Sequence, residues 1–289
     1  MLRYGLSETG RFAAGLLGAL LLAATISAMG AQAGFAAALL ARAVSLLRLD
    51  FGASALTGAP ALGDFAQHLA PTLQLLGGGA ALALVAGVPL GLALNSRRMR
   101  ALAAPVLEIA ASAPVFCAGL ALLWIAHRMG WDVSAATGAS FWPALLQGDS
   151  AAASRALPAF GLPALVVGAA GAASVLVVVR RGAHAAMAEP YRETLRLMGL
   201  GAFEIDRLYL APRLLAGLCA GLGQIVLTLF AATAVAEWVF AWPGEATLFI
   251  HSVALGDWNV AAAVLFAFAV LALATGYLGM LAAHALGER

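Results

Sequence analysis

The residues that could do chemistry in this chain are few, and their spacing matches no catalytic pattern. The five histidines are scattered, and none belongs to the His-Glu-x-x-His pattern of a zinc protease. No Gly-x-Ser-x-Gly motif, which would carry a hydrolase nucleophile, occurs. All sixteen basic residues are arginine, so the lysine of a phosphate-binding loop is missing. The sequence therefore predicts a protein that is not an enzyme, holds no metal and binds no cofactor of its own.

Charged residues concentrate in one stretch, residues 191–213, between two long apolar segments. The stretch also contains apolar residues at helical spacing, namely Tyr191, Leu195 and Met198. Gly199 follows them and is suited to end a helix in the left-handed conformation. Residues 203–210 form a second short amphipathic segment, and Pro212 suits the first turn of the next helix. This pattern predicts two short helices at a membrane surface, which form either a docking surface for a soluble partner or an ordinary polar loop.

The elements that must position this stretch are membrane helices. Hydrophobic residues make up 63% of the chain and charged residues 10%, which is the composition of a protein with several membrane spans. A bilayer core about 30 Å thick requires roughly 20 apolar residues per helix. Six segments qualify, at about 12–33, 70–95, 102–127, 158–180, 214–240 and 260–285. The apolar runs are continuous, so helices are predicted rather than the strands of a barrel.

The arginines set the predicted orientation. If the N-terminus lies inside, twelve of the sixteen arginines fall on the inner side of the membrane and four on the outer side. Because loops rich in basic residues stay in the cytoplasm, both termini and residues 181–213 are predicted to be cytoplasmic. The net charge of only +2 then reflects orientation in lipid and gives no reason to expect nucleic-acid binding.

Polar residues inside the predicted spans are candidates for a solute path. Glu108 lies in the third span, where a carboxylate is costly, and it either pairs with an arginine or lies near the path. Gln224, Thr228 and Thr233 form a polar stripe in the fifth span. Such a stripe either lines a pore or makes hydrogen bonds to neighbouring helices. In the second span, the spacing of Gly87 and Gly91 predicts close helix packing rather than solute contact.

A family resemblance rests on the charged stretch. The spacing of Glu193, Gly199 and Pro212 resembles the signature loop of bacterial ATP-binding-cassette importer permeases, which reads Glu-Ala-Ala, three residues, Gly, nine residues, Ile-x-Leu-Pro. Four positions depart from that motif: Thr194, Leu195, Tyr209 and Ala211. The pattern Tyr-x-x-Thr-x-Arg-x-x-Gly-Leu at 191–200 is more similar to the dipeptide, oligopeptide and nickel branch.

Further motifs of that branch occur outside the loop. Glu237 is followed by Val-Phe and then Pro243-Gly244, and Asp257 is followed by an aromatic residue and Val260, as in the permeases. The resemblance covers roughly 220 residues, from about residue 69 onward. It implies an all-α protein with six transmembrane helices and the type I importer permease fold. We expect an N-terminal helix with an outer-face segment (1–68) and a permease domain (69–289) with a coupling loop (181–213).

The resemblance also implies a function and partners. The chain would be a permease subunit in the bacterial inner membrane, forming the path for a peptide, nickel complex or similar small solute. A related permease would pair with it as a heterodimer, two ATPase subunits carrying ATP and magnesium would bind below, and a soluble binding protein would deliver the solute.

The residues that this resemblance assigns fall into two groups. The residues of ATPase coupling are Tyr191, Glu193 and Arg196, which would contact the ATPase, and Gly199 and Pro212, which would fix the loop's shape. The candidates for the solute path are Glu108, Gln224, Thr228 and Glu237. The alternative is a secondary transporter driven by an ion gradient, which would require ionisable residues near the bilayer midplane and an internal repeat.

Overall fold

The structure, a computed structural model, describes residues 2–29, 35–94, 96, 114–187, 194–195 and 197–287. Within these ranges the regular elements are helices, and one isolated antiparallel bridge pairs Ala53 with Pro60. The predicted all-α class is therefore confirmed. Four of the candidate site residues lie outside the described part of the chain: Glu108, Tyr191, Glu193 and Arg196.

The helices follow one another with short connections over the described ranges. They are α1 (Leu2–Ala28), α2 (Phe35–Leu47), α3 (Ala61–Ala93), α4 (Val115–Arg128), α5 (Ala135–Ala139), α6 (Phe141–Leu146), α7 (Ser150–Met187), α8 (Ala202–Ile205), α9 (Ala211–Ala220), α10 (Leu222–Val239), α11 (Glu245–Leu255) and α12 (Trp258–Gly287). A π-helical turn, Asp206–Leu210, joins α8 to α9.

Five of these helices are long and apolar enough to cross a bilayer. The candidate spans are Thr9–Ala28, Ala61–Ala93, Ser150–Ala186, Leu222–Val239 and Trp258–Leu286. They correspond to five of the six predicted spans. The third predicted span, 102–127, is described only from residue 114, and α4 continues that apolar segment to Arg128.

Two helices extend well beyond the predicted spans. α3 begins at Ala61 rather than near residue 70, and α7 covers Ser150–Met187 rather than 158–180. The predictions counted apolar residues only, whereas a helix continues past the bilayer wherever its backbone hydrogen bonds are satisfied. The predicted boundary between residues 68 and 69 consequently falls inside α3.

The most extensive helix pair is α3 with α7, and glycines bring the two helices together. A β-carbon at Gly87 would lie 2.8 Å from the Ala172 carbonyl oxygen and 2.8 Å from Val175 Cβ. A β-carbon at Gly91 would lie equally close to Val179. The valines of α7 thus fill the surface that the glycines leave open, which confirms the predicted packing role of Gly87 and Gly91.

The N-terminal part of the chain packs against the last span. α1 and α2 share an apolar cluster with the start of α12, which includes Leu46, Phe51 and Val264. Hydrogen bonds lock the same contact, since the Ser54 hydroxyl donates to Asp257 Oδ2 over 2.5 Å and Asn259 Nδ2 donates to the Ala53 carbonyl over 2.8 Å. The segment before α3 is therefore attached to the N-terminal end of α12.

The fifth predicted span, 214–240, is two helices rather than one. α9 and α10 meet at Gly221, which lies outside both. Close by, a β-carbon on Gly223 would lie 2.9 Å from the Cα atom of Gly276 in α12. The helix break thus occurs where two helix backbones approach with no side chain between them. The hydropathy of the sequence does not predict such a close approach.

Neighbouring glycines of α3 provide a test of the α3–α7 contact. Gly79 faces Val167, whose Cβ would lie 2.7 Å from an added β-carbon, whereas Gly77 has open space around it. We expect Gly79→Ala to lower stability by about 1–3 kcal/mol through overpacking. Gly77→Ala should change it little or raise it by up to about 1 kcal/mol through helix propensity. Thermal unfolding of both purified variants in detergent measures the difference, and equal stabilities would contradict the packing.

Candidate functional site

The inner loop turns at Gly199, as the sequence predicts. Gly199 has φ = +89°, and the Leu200 N–H donates to the Leu195 carbonyl oxygen over 3.1 Å. This six-residue closure with glycine in the left-handed conformation is the Schellman ending of a helix. No side chain lies within 4 Å of where a β-carbon would project. The glycine is therefore required by its backbone angle and not by crowding.

After the turn the chain forms one continuous helical rod with a local widening. Glu204 Oε2 accepts the Gly201 N–H over 3.1 Å, which caps the start of α8. α8 then passes through the π-helical turn Asp206–Leu210 into α9, where Pro212 lies in the first turn. Proline has no N–H and crowds the preceding helical turn, so the wider turn before it accommodates the ring. The separate short helix predicted at 203–210 is instead the first part of this rod.

Large apolar side chains are exposed on both sides of the turn. Leu197 is 84% exposed, Phe203 is 78% exposed and Met198 is 71% exposed. Exposed apolar groups next to a charged loop form the kind of surface that a protein partner covers. The described part of the inner loop is thus a turn between helical segments with an exposed apolar surface on both sides. The roles of its individual residues in ATPase coupling stay predictions.

At the opposite end of α10, Glu237 is fully buried and holds three elements together. The Thr72 hydroxyl of α3 donates to Glu237 Oε1 over 2.6 Å, and the Ala246 N–H of α11 donates to Oε2 over 2.8 Å. The Thr72 oxygen also accepts the Glu245 N–H over 2.8 Å. Glu237 therefore supplies the acceptor that the unpaired N–H groups at the start of α11 require. We call Thr72, Glu237 and Glu245 the outer carboxyl cluster.

The turn between α10 and α11 makes this contact possible. Gly244 is the N-cap residue of α11, and any β-carbon there would overlap the Glu237 carboxylate. The buried Trp242 donates from Nε1 to the Pro71 carbonyl over 3.1 Å, and the Thr247 hydroxyl donates to the Trp242 carbonyl over 2.9 Å. The turn at Pro243-Gly244 thus places the first turn of α11 directly on the carboxylate of α10.

Glu245 differs from Glu237 although both are fully buried. Neither of its carboxyl oxygens has a hydrogen-bond partner among the described residues. α11 lies outside the five candidate spans. Two effects raise the pKa of Glu245 to about 8: burial is the larger, and the like charge of the neighbouring Glu237 is the smaller. An isolated buried carboxylate is strongly unfavourable, so this environment favours the protonated form of Glu245.

A cavity of about 480 Å³ opens beside this cluster. Its lining residues are His68, Glu237, Trp238, Ala241, Pro243, Thr247, Leu248 and His251. The cavity thus lies against Glu237, at the end of α10 opposite to the inner loop.

The described path residues, Gln224, Thr228 and Glu237, do not lie together in one site. Gln224 is exposed near the start of α10, and Thr228 accepts a hydrogen bond from Ser174 of α7 over 3.2 Å. The thirteen-residue separation of Gln224 and Glu237 places them about 20 Å apart along the helix axis. Thr228 makes the interhelical hydrogen bond that the sequence left as an alternative to pore lining. Whether any of these residues contacts solute stays a prediction.

Comparison with known proteins decides the family. The family of binding-protein-dependent transport system inner membrane components matches residues 81–289. The chain belongs to this family. It is 30% identical over 220 residues to the probable D,D-dipeptide transport system permease protein DdpB of Escherichia coli (strain K12), covering 71% of this chain and 65% of that protein. It is 25% identical over 230 residues to the dipeptide transport system permease protein DppB of Haemophilus influenzae (strain ATCC 51907 / DSM 11121 / KW20 / Rd), covering 75% and 69%.

The match confirms the resemblance inferred from the signature loop. This permease-family chain is a membrane protein with several spans, and its relatives are named for dipeptide transport. Nickel transport, which the sequence also suggested, is not named by either relative. The chain spans 65% of the length of the first relative, slightly less than two thirds.

Sequence reasoning missed two members of the outer carboxyl cluster. The sequence around Thr72 contains no signal for its role, because its partner Glu237 is 165 residues away in the chain. Glu245 directly follows Pro243-Gly244, and a carboxylate in the first turn after such a pair is the signal that could have found it. That signal does not predict burial, which depends on how α3, α10 and α11 meet.

Removing the Thr72 hydroxyl tests the cluster. Thr72→Val keeps the side-chain shape but deprives Glu237 of a donor and Glu245 N–H of an acceptor. We expect a loss of about 2–4 kcal/mol, because a buried charged group loses a hydrogen bond. Thr275→Val is the matched control, since the Thr275 hydroxyl bonds only to carbonyls of its own helix. Thermal unfolding in detergent compares the two, and a Thr72→Val variant as stable as the control would refute the anchoring role.

Proposed function

We propose that the protein is a permease subunit of an ATP-driven importer that takes up a small solute delivered by a binding protein. Membership of the binding-protein-dependent transport family carries this proposal. Two relatives named as dipeptide permeases favour small peptides as the solute class, with nickel complexes as a further candidate. Family membership also argues against the alternative of a secondary transporter driven by an ion gradient.

The proposed complex contains four further chains. A second, related permease pairs with this one, two ATP-binding subunits contact the inner loop, and an extracytoplasmic binding protein docks on the outside. ATP and magnesium are bound by the ATPase subunits, and the permease chain supplies helices and loops only. In this arrangement both termini and the inner loop face the cytoplasm, as the distribution of arginines favours.

The inner loop is the proposed site of coupling. The turn at Gly199 and the continuous rod Ala202–Ala220 make the loop a stiff lever rather than a flexible connection. α9, the membrane end of this lever, packs against α12 and α7. A push on the exposed apolar side chains would therefore move several spans together and shift the permease between two states.

The solute path is proposed to form between the two permeases. A path at such an interface is lined by residues that are exposed on the single chain. Gln224 meets this condition, whereas Glu237 is fully buried and lies against the neighbouring cavity. Thr228 is half-buried and engaged with α7. Gln224 is thus the described candidate for which exposure supports solute contact most directly.

Two substitutions at Gly199 test the coupling role. Valine in the left-handed conformation is strained by about 1–3 kcal/mol, whereas asparagine adopts it readily. In the complete transporter we expect Gly199→Val to reduce solute uptake about tenfold or more, since a factor of ten corresponds to about 1.4 kcal/mol. Gly199→Asn should retain most of the uptake. Uptake and copurification of the ATPase are measured at equal membrane abundance. Wild-type uptake by Gly199→Val would remove the inner loop from the coupling mechanism.

Single cysteines test the orientation. Cys117 and Cys219 are free thiols and are first replaced by serine. Phe203→Cys places a thiol on the inner loop, and Leu146→Cys places one on the opposite side, where Leu146 is 84% exposed. In intact cells a membrane-impermeant maleimide should label only the cysteine at 146. Labelling of the cysteine at 203 before the membrane is opened would reverse the proposed topology.

A further inference from the structure

Glu245 is a buried ionisable residue whose carboxyl group has no compensating partner in the part of the chain that the structure describes, and the transport role does not explain why it is there. It is the first residue of α11, its side chain is fully buried, and both carboxyl oxygens lack hydrogen-bond partners among the described residues. An ionised carboxylate in such a place costs several kcal/mol unless a cation or several donors accompany it. Glu245 must therefore find a charge partner or hold a proton.

Among the described residues, no titratable group on the surrounding elements donates a hydrogen bond to the carboxyl of Glu245. α3 contributes Asp64 and His68, α10 contributes Glu237, α11 itself carries His251, and Asp257 precedes α12. Of these, Glu237 is of like charge and helps to raise the pKa of Glu245. His68 acts on Glu237 instead, and Asp257 is bonded to Ser54 and to the N–H at the start of α12.

The two carboxyls of the outer cluster are unequal in hydrogen bonding. Glu237 accepts the Thr72 hydroxyl and the Ala246 N–H, with the Thr247 N–H at 3.4 Å, and such donors stabilise a negative charge. Neither carboxyl oxygen of Glu245 accepts a hydrogen bond from a described residue. We propose that Glu237 and Glu245 form a one-proton site in which Glu237 carries the negative charge and Glu245 carries the proton. The ligand of this site is H⁺, exchanged with water of the neighbouring cavity.

Release of the proton has a structural consequence. Glu245 would become a carboxylate beside Glu237, and two buried like charges repel one another. The first turn of α11, which Thr72 and Glu237 hold through the N–H groups of Glu245 and Ala246, is the part that must then separate. The site therefore makes the docking of α11 on α3 and α10 depend on pH. This inference concerns the chain's own carboxyls and does not depend on the proposed function.

Infrared spectroscopy tests the protonated carboxyl directly. The full chain in lipid nanodiscs is titrated from about pH 6 to about pH 10, and the carbonyl band of a neutral carboxylic acid is followed. Because the pKa of Glu245 is raised to about 8, we expect one such band that disappears near that pH. Glu245→Gln should abolish the titrating band. Glu204→Gln, the same change at the exposed cap of α8, should leave it unchanged.

Two outcomes of that experiment would overturn the proposal. One is the absence of a titrating band in the wild-type protein. The other is a band that persists in Glu245→Gln but vanishes in Glu237→Gln, which would place the proton on the wrong carboxyl. If Glu245→Gln does not yield folded protein, Glu245→Leu serves in its place, because an apolar side chain suits the buried position.

The pH dependence of stability provides a second measurement. In the folded protein Glu245 keeps its proton at pH values at which the same glutamate in the unfolded chain, with its ordinary pKa of 4.5, has lost it. Folding thus takes up a proton between about pH 5 and pH 8, so stability falls as the pH rises through that window. The unfolding temperature of Glu245→Gln should show less of this decline than that of Glu204→Gln. Parallel curves for the two variants would refute the proton site.

Discussion

The end of α10 remote from the inner loop depends on the buried carboxylate of Glu237. A helix that begins inside a protein exposes N–H groups that have no acceptor within the helix, and a low-dielectric surrounding makes each unpaired group costly. Glu237 provides the acceptor for α11 and is itself held by Thr72 of α3. α3, α10 and α11 consequently share one electrostatic centre, and the position of α11 cannot change without exposing groups that are expensive to leave unpaired.

The inner end is built on a different principle. Gly199 and Pro212 act through backbone geometry, one by accepting a left-handed angle and the other by removing an N–H. Between them the chain presents apolar side chains to solvent, with no buried polar cluster comparable to that around Glu237 in the described part of the loop. A surface of this kind is completed by a partner, whereas the outer carboxyl cluster is completed within the chain itself.

The features that the sequence predicted are those with local causes. Span length is dictated by bilayer thickness, so hydropathy located five helices, and the left-handed turn at Gly199 follows from a glycine placed after an amphipathic segment. The break at Gly221 and the burial of Glu237 have distant causes. The first occurs where α10 approaches Gly276 in α12, and the second requires Thr72 of α3. Such contacts depend on how helices pair, which periodicity and composition do not encode.

The inner loop's helical rod and Glu237 of the outer carboxyl cluster lie on one stretch of chain, residues 202–239. Helical backbone transmits displacement along its axis because each turn is hydrogen-bonded to the next. The stretch is interrupted once in the described structure, at Gly221, where α9 ends and α10 begins. α9 packs on α12, whereas α10 also contacts α3 and α11. Gly221 and the close approach of Gly223 to Gly276 therefore separate the inner-loop rod from the helix that carries Glu237.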